Sequence, residues 1–242
     1  MNLESFKTAW RRATKGQDLI WIIRTHGAIG TMRWLRRSLP YYLWLYLTPA
    51  GKRERNFDKR FGVETDGVLP RWEMGDVGPN LQHAVQYLPT KPKKFERLIQ
   101  SLKIPFSQFT FVDIGSGKGR VLLLADRFKF RRLIGVEFVP QLCEIARRNL
   151  EKYQCPAEIL CIDATSFQFP SEPTVIYMCN PFDGELMERF VESIESSYRQ
   201  APRPIFVVYC NAFQAGAFIR NSAFTPILYK PENVAIFSVT TK

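Results

Sequence analysis

The sequence predicts an α/β fold built on a mostly parallel sheet, and three observations carry that expectation. From Ser101 onward, short β-rich apolar runs alternate with helical patterns, the order that yields parallel strands joined by helices. Gly115, Gly117 and Gly119 follow the first of these runs directly and open a helical stretch. The chain ends on two strand-like runs separated only by Lys230, Pro231 and Glu232. A link that short permits an antiparallel hairpin but no parallel crossover.

Residues 1–60 are a basic, aromatic-rich extension expected to form several short helices. They hold 13 basic and 4 acidic side chains against 21 and 19 in residues 61–242, so most of the net charge of +11 lies here. Four of the five tryptophans (Trp10, Trp21, Trp34 and Trp44) fall in this stretch with Tyr41, Tyr42 and Tyr46. Gly27 and Gly30 interrupt any long helix, and Pro40 starts a new segment. Residues 61–92 are Gly- and Pro-rich and read as a loop leading into a helix from Lys93 to Leu102. Residues 93–242 form the main domain.

Within that domain Gln108 to Ile114 is the first strand, Lys118 to Phe128 is helical and Arg132 to Glu137 is a second buried strand. Pro140 to Tyr153 sets Leu142, Ile145, Ala146 and Leu150 on one helical face, with Pro140 where a missing N–H does no harm. Ala157 to Ile162 and Thr174 to Cys179 are the third and fourth strands. Gly184 to Gln200 is an amphipathic helix, Ile205 to Cys210 a fifth strand, and Phe224 to Tyr229 with Asn233 to Val239 the hairpin.

Composition excludes several classes. With 45% hydrophobic and 24% charged residues the chain should bury a core. No run of about 20 apolar residues exists, so a membrane-spanning helix is not expected. Glu4 lies early and no apolar stretch follows the first basic residue, so export is not signalled; Asn2 stands where myristoylation would require glycine. Cys143, Cys155, Cys161, Cys179 and Cys210 form no CxxC pair, and an odd set in apolar contexts reads as reduced, buried thiols of a cytoplasmic protein. His26 and His83 are isolated, and no metal site is expected.

The chemistry concentrates in Val112-Asp-Ile-Gly-Ser-Gly-Lys-Gly-Arg120. Glycines after a strand let backbone pass close to a ligand and offer amide N–H groups at a helix start. Arg120 breaks the G-x-G-x-x-G dinucleotide pattern, and Lys118 lacks the spacing of a P-loop. Glu137, Asp163 and Asn180-Pro181-Phe182 stand at the carboxyl ends of the second, third and fourth strands, where open α/β sheets bind ligands.

Asp113-x-Gly-x-Gly-x-Gly with a later strand-end acid resembles the class I S-adenosylmethionine-dependent methyltransferases. The resemblance covers roughly residues 85–242 and implies a Rossmann-like sheet of seven strands, the seventh antiparallel. It implies that Asp113, Gly115, Ser116, Gly117 and Gly119 hold the methionine part, that Glu137 binds the ribose, and that Asp163 and Ala164 meet the adenine. Tyr87-Leu-Pro-Thr90 and Asn180-Pro-Phe182 are similar to segments of the seven-strand lysine methyltransferases, where a segment before the first strand closes over S-adenosyl-L-methionine. That likeness makes Tyr87, Thr90 and Asn180 cofactor neighbours, and Asn180 and Phe182 the acceptor-side residues. Asn-Pro-Phe also resembles the Asn-Pro-Pro-aromatic motif of amine methyltransferases acting on adenine or glutamine, less one proline.

Two functions follow as expectations. One is an enzyme that moves a methyl group to an amine nitrogen, of a protein lysine or a nucleic acid; the other is a cofactor-binding module attached to an anionic membrane surface or nucleic acid through residues 1–60. Most of the tryptophans of that extension are expected to fold over the sheet as a helical cap, with its arginine face left to meet a membrane or partner. Asp163 and Asn180 can equally be turn formers, and Tyr87 and Thr90 packing or capping residues. Lys118 and Arg120 are expected to face solvent.

Overall fold

The computed structural model describes residues 47–67 and 87–239, except 183 and 232, with isolated positions at 32, 43, 69 and 74. The Trp-rich helices expected before residue 47, His83 and nearly all of 68–86 lie outside the described residues. The chain divides into two compact units, Met1–Pro70 with Gln86–Pro89, and Arg71–Val85 with Thr90–Lys242.

In the first unit, helix α1 (Pro49–Phe61) starts where Thr48 Oγ1 accepts the Gly51 N–H at 2.9 Å, and stops at Gly62 with φ +65°. Asp58 then folds the following chain back. Its carboxylate accepts from the N–H groups of Thr65 (2.8 Å) and Asp66 (2.7 Å) and from the Thr65 hydroxyl (2.5 Å). Tyr87 pairs with Leu69 and donates its hydroxyl to Thr65 O at 2.6 Å.

The second unit opens with α2 (Pro92–Gln100), which buries Phe95, Leu98 and Ile99. Strand β1 (Thr110–Ile114), helix α3 (Arg120–Ala125), β2 (Arg132–Glu137), α4 (Pro140–Tyr153), β3 (Glu158–Cys161) and β4 (Thr174–Cys179) follow. The chain continues through α5 (Glu185–Gln200), β5 (Ile205–Cys210), α6 (Ala215–Arg220), β6 (Phe224–Lys230) and β7 (Val234–Val239). The strands form one seven-stranded sheet in the order β3-β2-β1-β4-β5-β7-β6. β1 to β5 pair in parallel, and β7 runs antiparallel between β5 and β6. This is the expected Rossmann-like architecture.

Helices cover both faces of the sheet, which is why β1 is buried at all five positions rather than at alternate ones. Val112, Ile114, Ile176 and Met178 pack with Phe190 of α5 and Phe218 of α6. On the opposite face Phe95 of α2 meets Phe111 and Tyr177 edge-on, with ring centroids 5.9 and 5.3 Å apart. At the sheet edge β6 is largely exposed.

Three local expectations differ from the structure. The helix after the glycine loop is only six residues long, then tightens to a 3₁₀ turn over Asp126–Phe128. Arg120 is buried at 3% exposure, not facing solvent, because the short helix is enclosed all round. The cysteines are not uniformly buried: Cys161 is exposed, since it ends β3 at the sheet edge, and Cys179 is half-buried.

Gly135 in β2 has no room for a side chain. A Cβ there would lie 2.7 Å from Ile159 Cδ1 and from Leu122 Cδ1, and 2.9 Å from Ser116 Oγ. Gly135→Ala is expected to destabilise the domain by about 1–3 kcal/mol, the usual cost of overpacking. Thermal unfolding measures it, and an unchanged Tm would mean that β2, β3 and α3 separate at little cost.

Candidate functional site

The loop between β1 and α3 is held by its own chain. The N–H groups of Gly115 and Ser116 both donate to Val136 O, at 2.9 and 3.1 Å. Gly117 N–H donates to Glu137 Oε2 at 2.9 Å, and Gly119 N–H to Ser116 O at 2.9 Å. The Asn149 side chain of α4 donates to Lys118 O at 2.9 Å. These amides are therefore not open donors for a ligand, contrary to the sequence expectation. The glycines serve shape instead, with φ of +72°, +53° and +80° at Gly115, Gly117 and Gly119. A Cβ on Gly115 would come within 2.9 Å of Pro181 Cβ, and one on Gly119 within 3.3 Å of Ala146 Cβ. The loop thus lies against the end of β4 on one side and α4 on the other.

Glu137 fastens the site. Besides Gly117 it accepts the N–H groups of Phe138 (2.9 Å) and Val139 (3.0 Å) through Oε1. Burial pushes its carboxyl up, opposed by those three backbone bonds. Asp113 in β1 is raised well above the ordinary carboxylate range, by burial first and by the charge of Glu137 second. Ser116 Oγ is buried without a hydrogen-bond partner. Asp163 follows β3, and its Oδ1 accepts from the Thr165 N–H (2.8 Å) and hydroxyl (2.6 Å), capping a 3₁₀ turn that begins at Ala164. Ala164 is partly buried against the core.

At the end of β4, Asn180 adopts φ +49° and its Oδ1 accepts the Tyr209 hydroxyl of β5 at 3.0 Å. That hydroxyl in turn accepts the Gln214 N–H at 3.3 Å. Phe182 is 6% exposed, its ring edge-on to Phe190 at 5.3 Å, so it backs the strand end from the core. Thr90 is buried and accepts the Tyr177 hydroxyl at 3.5 Å, which brings it to the same sheet edge. Tyr87 belongs to the first unit. Asp113, the glycine loop, Glu137 and Asn180 are thereby brought together at the carboxyl ends of adjacent strands. The sequence reading missed Tyr209, although a tyrosine in a buried strand signals a hydroxyl that needs a partner.

A parallel sheet with β7 inserted antiparallel, a glycine loop after β1 and an acid closing β2 is the arrangement of the Rossmann-like methyltransferase fold. Residues 111–200 match the family described as a methyltransferase domain. A protein-lysine N-methyltransferase of Saccharolobus islandicus is 28% identical over 96 residues, 39% of this chain and 59% of that protein's length. Among solved structures, a Pyrococcus horikoshii protein provisionally assigned as an RNA methyltransferase superposes with a TM-score of 0.52 at 13% identity, covering 80% of this chain and 99% of that one. A Salinibacter ruber RNA methyltransferase in complex with S-adenosyl-L-homocysteine gives 0.43 at 18% identity, over 63% of this chain and 92% of that one.

The residues present fit S-adenosyl-L-methionine. The cofactor's ammonium, ribose hydroxyls and adenine amine are all donors, and the sheet edge supplies the acceptors Asp113, Glu137 and Asp163 in that order along the chain. Among the described residues no helix is long and apolar enough to cross a membrane, and no group of three metal-ligating side chains occurs.

Proposed function

We propose that the chain transfers the methyl group of S-adenosyl-L-methionine to an amine nitrogen, that of a protein lysine or a similar acceptor, with residues 93–242 as the catalytic domain. The observation that carries this reading is Asn180. It stands at the β4 end beside the glycine loop, and Tyr209 fixes its amide. The bound sulfonium supplies an activated methyl group. The chain's own task is then to position the acceptor and exclude water. Tyr209 occupies one lone pair of Asn180 Oδ1, and the second remains able to accept an amine N–H. Asn180 orients the nitrogen and takes no proton. Phe182 backs it from the core, and Asp113, Ser116 and the glycines hold the methionine part. Glu137 takes the ribose, and Asp163 with Ala164 the adenine; Thr90 closes the lead-in over them. The likeness to a lysine methyltransferase supports an amine acceptor.

The basic excess of residues 1–60 supports an anionic partner, a membrane surface or nucleic acid, peripheral to the catalytic step. The test supplies tritiated-methyl S-adenosyl-L-methionine and purified protein to the protein, RNA and lipid fractions of a lysate. Label is expected in protein as methylated lysine. Label confined to RNA would move the acceptor to a nucleic-acid amine, and none in any fraction would favour the binding module.

A further inference from the structure

Strands β4 and β5 end alike, each in a cysteine followed by an asparagine in the left-handed region: Cys179 with Asn180 at φ +49°, and Cys210 with Asn211 at φ +52°. Their parallel register sets Cys179 directly opposite Cys210. Neighbouring strands lie about 4.8 Å apart, inside the roughly 4.4–6.8 Å that a disulfide requires between Cα atoms. Each thiol acts on the titration of the other. Cys210 is 2% exposed and Cys179 half-buried.

The surroundings favour a thiolate there. Asn211 Nδ2 donates to Cys179 Sγ at 3.4 Å. Lys94 of α2 is anchored by neutral partners, at 3.2 Å from Asn211 Oδ1, 2.9 Å from Asn233 Oδ1 and 3.4 Å from Asn233 O. Its charge therefore acts on the sulfurs. The neighbouring Cys179 thiol and the Lys94 ammonium bring Cys210 down to about 6 against its burial, with help from the Tyr177 hydroxyl, while Cys179 is pushed up.

We propose that Cys179 and Cys210 form a redox-active thiol pair, a reversible modification site at the carboxyl ends of β4 and β5 that a peroxide closes to a disulfide. The Cys210 thiolate attacks one peroxide oxygen, the O–O bond breaks, and the departing hydroxide takes a proton to leave as water. Cys179 sulfur then attacks the resulting sulfenic sulfur, the S–S bond forms and a second water leaves. Two thiols lose two electrons and two protons, and one hydrogen peroxide becomes two waters. The Cys143 thiol donates to Glu137 O at 3.3 Å, and burial and the neighbouring Cys161 thiol push it well up, with only Arg147 acting against them. Cys143 and Cys161 serve as the internal reference.

The experiment treats the reduced full chain with hydrogen peroxide, alkylates the remaining thiols after unfolding, and maps linked peptides by mass. The expected result is loss of two of the five thiols, a Cys179–Cys210 linkage, and recovery on adding dithiothreitol. Cys179→Ser and Cys210→Ser should each abolish the linkage. Lys94→Met keeps both thiols and is expected to move the pH of half-maximal oxidation up from near 6 toward the ordinary thiol range. Five retained thiols, a linkage at Cys143–Cys161 instead, or a pH profile indifferent to Lys94→Met would overturn the assignment.

Discussion

Glu137→Ala is expected to abolish measurable binding of S-adenosyl-L-homocysteine while the sheet stays folded. The carboxylate holds the N–H groups of Gly117, Phe138 and Val139, so its removal leaves three amides unpaired at the sheet edge and loosens the glycine loop beyond its two bonds to Val136 O. Each bond to a charged acceptor contributes about 1.5–3 kcal/mol, and the ribose contact proposed for Glu137 is lost as well. A fall in affinity of a hundredfold or more, about 2.7 kcal/mol, follows. Glu137→Gln keeps a carbonyl for Phe138 and Val139 but turns an NH₂ toward the Gly117 N–H, and should lose about tenfold. Gly117→Val places a β-branched residue at φ +53° and should match the alanine variant. Isothermal titration reads all three, with circular dichroism as the check on folding. Wild-type affinity in the alanine variant would remove Glu137 from the cofactor site.

Asn180→Ala should lower turnover by roughly one to two orders of magnitude with cofactor affinity nearly unchanged, the loss of one oriented contact worth about 1.5–3 kcal/mol. Alanine also tolerates the left-handed backbone at φ +49° less well than asparagine does. Asn180→Gly relieves that strain, so an equal loss in both variants assigns the effect to the missing amide. Tyr209→Phe removes the donor that fixes Asn180 Oδ1 and is expected to give a smaller loss, about tenfold, through misorientation. Single-turnover methyl transfer to the labelled protein fraction, with cofactor titration alongside, makes the comparison. Full activity in Asn180→Gly would leave Asn180 as a turn former.

Much of the fold was legible without the structure. β2, α4, β4 and β5 begin and end where the sequence reading put them, because fully buried strands read as unbroken apolar runs and Pro140 marks a helix start. The hairpin was legible because three residues cannot make a crossover. Helix α6 was not, since six residues carry too little periodicity to be seen.

The glycine loop and the strand-end acids are local patterns, and spacing along the chain was enough to find them. Which groups touch which is a different kind of information. That the loop amides are spent on Val136, Glu137 and Ser116, that Tyr209 holds Asn180, and that Cys179 faces Cys210 all follow from strand register and from the packing of β4 between β1 and β5. A parallel neighbour is many residues distant in the chain, so a one-residue slip changes every such pair without altering the pattern of either strand. The sequence by itself determined the class of sheet and the residues at its carboxyl edge; only tertiary pairing decided which of those residues are fastened and which are left to meet a ligand.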